Sequence, residues 1–189
     1  TGGRDGSICF WDTSAKRTLY NLGGRRREVN CLGYGPDGRT LAAGGQDGTI
    51  KLWNTAARRV LHELKGHNGA VSCQSFSPDG ALLASTGYSD SVIRLWDTLS
   101  GQRQATLGQY WGRVRSLSFA PRGETLASGH ESGSVMLWDV TARKSVATLE
   151  AAGDGKMLGV AFSPDGSVLA SGASDGTVKL WDLRTRTEK

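Results

Sequence analysis

Three residue types that could cooperate in nucleophilic catalysis stand close together in this chain: His67, a hydroxyl at Ser85 or Thr86, and Asp90. A histidine that takes a proton from a hydroxyl, oriented by an aspartate, would form an acyl-transfer triad. Neither a nucleophile elbow nor an oxyanion-hole signal accompanies them, so the set alone does not argue for an enzyme. Gly153–Asp154–Gly155–Lys156 has some elements of a phosphate loop. However, Glu150 stands where the first glycine is required, and Met157 replaces the Ser/Thr. His62, His67 and His130 lack metal-ligand spacing. Cys9, Cys31 and Cys73 form neither a disulfide framework nor a metal cluster. No metal and no cofactor are expected.

Charge is the other feature that could carry chemistry. The net charge is +5, and the basic residues cluster as Arg25–Arg26–Arg27, Lys16–Arg17, Arg58–Arg59 and Arg143–Lys144. A basic surface can hold nucleic acid, but no aromatic platform interleaves with these residues, and a solvated turn face explains them as well. Unpaired cysteines, with no signal-peptide pattern and no stretch long enough to span a membrane, imply a reducing, cytoplasmic setting.

The elements that position these residues are short and repetitive. Tryptophans 11, 53, 96, 138 and 181 recur at spacings of 42, 43, 42 and 43. Each closes a run such as Asp47–Gly48–Thr49–Ile50–Lys51–Leu52–Trp53 or Asp175–Gly176–Thr177–Val178–Lys179–Leu180–Trp181. Between them lie the turns Gly35–Pro36–Asp37–Gly38, Ser77–Pro78–Asp79–Gly80, Ala120–Pro121–Arg122–Gly123 and Ser163–Pro164–Asp165–Gly166. Proline presets φ and glycine accepts a positive φ, so these are tight turns. The flanking runs are strand-length, apolar and bounded by glycine, with no helical period. Each period therefore predicts four antiparallel strands, and sheets of this size bury both faces only by stacking.

The whole chain resembles the WD40 repeat family on these motifs. The resemblance implies an all-β fold, an arc of a β-propeller built from four-stranded antiparallel blades. The blades divide as 25–66, 67–109 and 110–151, with partial blades at 1–24 and 152–189. The start repeats a third strand that the end already has, and Leu183–Lys189 reads as too short and polar for a fourth strand. The expectation is a piece of a larger, often seven-bladed ring that meets the remainder of its own propeller; closure by oligomerisation is the lesser alternative.

The resemblance also reassigns the opening triad. In WD40 blades the corresponding positions form a structural network, in which His67 bridges Asp90 and Ser85, and the hydroxyl bonds the Trp96 indole. Fragments recur as Asp47 with Trp53, Ser128 with Trp138, and Ser171 with Asp175 and Trp181. Partner-contacting positions in the family flank the first apolar residue of the inner strand or precede the turn aspartate. Carried over, these are Glu28, Asn30, Ala70, Ser72, Arg113, Arg115, Lys156 and Leu158, with turn positions Gln46, Ser89, Glu131 and Ser174. Tyr88, Tyr110 and Trp111 add aromatics typical of a binding hot spot, although Trp111 equally suits a plug between blades.

The expected function is a non-catalytic protein–protein interaction scaffold that binds protein or peptide partners on the propeller rim. Two alternatives remain: a regulatory or sensor domain of a larger kinase or ATPase, and nucleic-acid binding through the basic turns.

Overall fold

The computed structural model describes residues 1–23, 28–108, 112–151 and 155–189. These form eighteen strands, and no helix among them is long and apolar enough to cross a membrane. The strands build five antiparallel sheets in chain order. Sheet one pairs β1 (Ser7–Asp12) with β2 (Arg17–Gly23). Sheet two runs through β3 (Val29–Tyr34), β4 (Thr40–Gly45), β5 (Ile50–Asn54) and β6 (Arg59–Leu64). Sheet three holds β7 (Val71–Phe76), β8 (Leu82–Gly87), β9 (Ile93–Asp97) and β10 (Arg103–Leu107). Sheet four holds β11 (Val114–Phe119), β12 (Thr125–His130), β13 (Ser134–Asp139) and β14 (Lys144–Glu150). Sheet five holds β15 (Met157–Phe162), β16 (Val168–Ala173), β17 (Val178–Asp182) and β18 (Thr187–Glu188).

Two strand assignments differ from the sequence reading. The tail does supply a fourth strand: Glu188 pairs with Trp181 and Thr187 with Asp182. Its side chains are polar because an outermost strand faces solvent, so hydropathy gave no signal. At the other end, Gly2 bridges Ile8, and Thr1 and Cys9 exchange backbone hydrogen bonds of 2.8 and 2.7 Å. Sheet one thus carries a trace of a further strand beside β1.

The sheets stack so that each neighbouring pair shares one apolar core. Ile8, Phe10 and Leu22 meet Leu41 and Ala43 between sheets one and two. Leu52 and Leu64 meet Val71 and Leu83 between two and three. Leu95 and Leu107 meet Val114 and Met136 between three and four, and Leu137 and Leu149 meet Met157 and Leu169 between four and five. The inner strands β3, β7, β11 and β15 line up side by side.

The second strands explain how the sheets come so close. Leu-Ala-(Ala/Ser) segments are buried on both faces, and small side chains there let adjacent sheets approach. Gly44 is the limiting case. A Cβ there would meet Cys31 Sγ at 2.5 Å and Val71 Cγ1 at 2.7 Å. In each of sheets two to five a leucine of the second strand pairs across from the repeat tryptophan: Leu41–Trp53, Leu83–Trp96, Leu126–Trp138 and Leu169–Trp181. Each such leucine is almost completely buried, which is worth about 1.5–3 kcal/mol apiece. The four Pro-containing turns close the first two strands, and Gly80 takes φ 73° there while Asp79 accepts from the Ala81 amide.

The end sheets leave apolar side chains in solvent. Trp11 and Leu19 on sheet one, and Val178 and Leu180 on sheet five, are each about half exposed or more.

Candidate interaction surface

His67, Ser85, Asp90 and Trp96 do meet, and their hydrogen bonds run in one direction. Trp96 Nε1 donates to Ser85 Oγ at 2.7 Å, and Ser85 lies 2.6 Å from His67 Nε2. His67 Nδ1 stands 2.8 Å from Asp90 Oδ2. Since a carboxylate only accepts, Nδ1 carries the proton and Nε2 accepts from the serine hydroxyl. Asp90 further accepts from the Asn68 and Gly87 amides at 3.1 Å each, and from Arg94 Nη1. Burial alone would raise its pKa, but the His67 hydrogen bond and, once the imidazole is protonated, its charge, then Arg94 and Asn68, bring it down to about 2.

This geometry disfavours nucleophilic catalysis. Ser85 has no exposure to solvent, and its hydroxyl is engaged as both donor and acceptor. A nucleophile needs a substrate-accessible oxygen, and this one is sealed in the sheet. Of the two hydroxyls considered in sequence, Ser85 enters the chain of bonds, whereas Thr86 Oγ1 is buried without a partner among the described residues.

The same register position carries a serine in sheets three, four and five. Ser85, Ser128 and Ser171 lie across from the residue two before their tryptophan, and each accepts from that indole, at 2.7, 2.8 and 3.0 Å. Thr1 does the same for Trp11 at 3.2 Å. Sheet two is the exception: Ala43 occupies the position, across from Lys51, and Trp53 Nε1 is buried with no hydrogen-bond partner among the described residues.

The rim residues are brought together by a second regularity. The backbone just before each turn bonds the residue that leads into the inner strand. Gln46 N donates to Glu28 O, Tyr88 N to Ala70 O, Glu131 N to Arg113 O and Ser174 N to Lys156 O, all at 2.7–2.9 Å. The two groups of carried-over positions are therefore neighbours in space. In sheet three the partner is Tyr88 rather than Ser89, because the extra residue of the 43-residue spacing sits in this turn. Ser89 N turns instead to Asn68 O at 3.3 Å.

Side chains complete the rim. Asn30 Nδ2 donates to Gln46 Oε1 at 3.0 Å, and Ser72 Oγ to Thr86 O at 3.2 Å. The Lys156 amide donates to Ser174 Oγ at 2.9 Å. Glu131 collects three cations: Lys156 Nζ at 2.7 Å, Arg115 Nη2 at 3.0 Å and Arg113 Nε at 3.8 Å. The hydrogen bonds from Lys156 and then Arg115 hold its carboxyl at about 2. Arg113 also stacks its guanidinium 4.1 Å over the Tyr88 ring. Tyr88 and Leu158 remain largely in solvent. One continuous surface thus runs from sheet three through sheet four to sheet five.

The sequence model of the family described as IFT122 first beta-propeller matches residues 1–189. The chain belongs to that family. No curated protein matches it. Its sheets are thus the blades of an IFT122-type propeller.

Several expectations meet this IFT122-type architecture differently. Tyr110 and Trp111 lie outside the described residues, as do Arg25–Arg27 and the Gly153–Asp154 pair. Lys16, Arg58 and Arg143 fall in equivalent turns between third and fourth strands, and Arg186 joins them. All four take positive φ, 52–60°, where the third blade has Gly101. Cys31 is pushed up to about 12 by burial, and burial also raises Cys73, so both thiols are poor nucleophiles. Among the described residues no group of three or more His, Cys, Asp or Glu could hold a metal.

Three participants escaped the sequence reading. Arg94 bonds Asp90 from the third strand, at a position that is basic in three of four blades (Lys51 and Lys179 beside it, Met136 the exception) and that the sequence reading did not use. His130 offers Nε2 to Ser128 at 2.8 Å, an imidazole supplied from within the second strand rather than from the preceding loop. Thr1 escaped because it stands ten residues before Trp11 with nothing else of its strand to reveal the register. The ten-residue offset that Ser128 and Ser171 keep to their tryptophans was the available signal for Thr1.

Proposed function

We propose that this propeller is a non-catalytic scaffold that binds protein or peptide partners on the rim where the inner strands begin. The observation that supports it is the run of Tyr88, Arg113, Glu131, Arg115, Lys156 and Leu158. Three blades contribute to one exposed surface that mixes an aromatic, an aliphatic and both signs of charge. That mixture suits a folded or extended polypeptide, where a buried aromatic anchors and polar groups set the register. The His67–Ser85–Asp90 set serves the blade and not a reaction, since every reactive atom is spent on another. The setting is cytoplasmic in this reading.

The test is affinity capture with the intact parent protein, run beside a Tyr88→Ala/Arg113→Ala variant. Both side chains lie at the surface, so the melting temperature should hold. Loss of a specific protein from the variant, with the fold intact, is the expected result. Undiminished capture by the variant would move the working surface away from this rim.

A further inference from the structure

The charge on this rim is not balanced, and the imbalance identifies the partner. Arg113, Arg115 and Lys156 surround Glu131 alone, and among the described residues no other carboxylate pairs with any of them. The cluster is therefore left with an excess of positive charge. Its cations are also only partly spent. The side chains of Arg113, Arg115 and Lys156 are 42%, 34% and 55% exposed, against 24% for Glu131. All three cations are more exposed than the carboxylate they share.

Each cation is held in place before anything binds. Arg113 holds its guanidinium 4.1 Å over the Tyr88 ring, which restrains it. Arg115 uses Nη2 on Glu131, and Lys156 is tied at its amide to Ser174 as well as at its ammonium to Glu131. Holding flexible basic side chains in advance lowers the ordering cost when an anion arrives. Two residues along from Lys156, Leu158 offers an apolar contact that is 61% exposed.

The geometry points to an acidic, extended peptide segment as the ligand of this rim, with carboxylates that take over the Arg115 and Lys156 donors now shared with Glu131. Glu131 is the internal stand-in for the partner's carboxylate. An acidic side chain would bridge Arg113, Arg115 and Lys156 by charge-assisted hydrogen bonds, and an adjoining apolar residue would lie against Leu158 or the open edge of Tyr88. This rests on the rim being the contact surface, and it adds the chemistry of what the rim accepts.

The test measures fluorescence anisotropy of a short labelled peptide alternating glutamate and leucine, titrated with the intact parent protein. A peptide with glutamine in place of glutamate is the neutral control, and a single-stranded oligonucleotide of equal charge is the polyanion control. The glutamate peptide should bind, and the glutamine peptide should not. Arg115→Glu/Lys156→Glu should weaken the glutamate peptide at least roughly tenfold, since two donors become repulsive. Glu131→Gln removes the competing charge while its amide oxygen can still accept from Arg115 and Lys156, so binding should tighten several-fold, a gain that mere damage to the fold would not produce. Binding indifferent to the double reversal, or weakened by Glu131→Gln, overturns the proposal. So does oligonucleotide binding of equal strength that survives the reversal, because that places the anion site on the basic turns. If the Tyr88→Ala/Arg113→Ala variant loses its captured protein while the glutamate peptide fails to bind, the rim remains the contact surface and only its acidic preference falls.

Discussion

The second and third blades were built to one plan and finished differently. Both have a leucine paired across from the repeat tryptophan, an Asp-containing turn after the second strand, and the same strand register. In the third, Trp96, Ser85, His67 and Asp90 pass hydrogen bonds from one to the next. In the second, Ala43 ends the sequence before it starts, and Trp53 Nε1 has no hydrogen-bond partner among the described residues. The backbone follows the same course in both. Apolar stacking and strand register are therefore enough to set the blade, and the polar chain is a local reinforcement of it. A catalytic set would not be dispensable one blade away.

If reinforcement is its role, breaking it should cost stability in the third blade and nothing of the kind in the second. His67→Ala should have the largest effect. It leaves the buried Ser85 hydroxyl with one partner fewer and removes a donor from Asp90, a loss of about 1–3 kcal/mol. Chemical denaturation of the variant measures it. A midpoint equal to that of the unaltered protein would mean that the imidazole contributes no more than the apolar contacts around it.

Asp90→Asn sharpens the same comparison through pH. The carboxyl is depressed from 3.8 to about 2 in the folded blade. Its ionised form therefore stabilises the fold above the unfolded value, and that contribution fades as pH falls from 3.8 toward 2. The unaltered protein should lose more stability across this window than Asp90→Asn, whose carboxamide does not titrate. Two parallel curves of unfolding midpoint against pH would remove Asp90 from the account. Glu131 and Asp165 are also held at about 2, but both remain in the variant and cancel in the difference.

The repair of the second blade is the converse experiment. Ala43→Ser places a hydroxyl at the register position from which Ser85, Ser128 and Ser171 serve their tryptophans. It should give Trp53 Nε1 an acceptor and add about 1 kcal/mol. A rise of roughly 2–4 °C in melting temperature is the readout for a chain of this size. No rise would show that Trp53 is already satisfied by solvent.

Much of this plan was legible in the sequence because it repeats. The tryptophan spacing and the Pro-containing turns indicated strand order and stacking, and the resemblance to WD40 blades placed Ser85 with Trp96. What stayed hidden departs from the repeat. Thr187–Glu188 form a strand by backbone pairing that polar side chains do not announce. His130 reaches Ser128 from a position where the other blades carry glycine or alanine, so the substitute imidazole looked like an isolated residue. The rim was legible as a set of positions but not as a cluster. The convergence of Arg113, Arg115 and Lys156 on Glu131 depends on side-chain reach across two blades, which sequence spacing does not encode.

The smallest expected effect lies in the turn that separates the same two blades. Gly48 follows the turn aspartate of the second blade with φ 79°, and Ser91 follows that of the third with φ 46°. A non-glycine residue held in the left-handed region costs roughly 1–2 kcal/mol, whereas replacing it with glycine adds about 0.4–1 kcal/mol of unfolded-chain entropy to be lost on folding. The two terms oppose each other, and strain is the larger, so Ser91→Gly should stabilise by about 0.5 kcal/mol. Combining it with His67→Ala distinguishes two reasons for the strained serine. If Ser91 is tolerated only because the Asp90 network holds the turn in place, the glycine should help more when the histidine is gone. Equal gains in the presence and absence of His67 would mean that the turn is set by the strand pairing of β8 and β9, as in the second blade, where Trp53 Nε1 has no hydrogen-bond partner among the described residues.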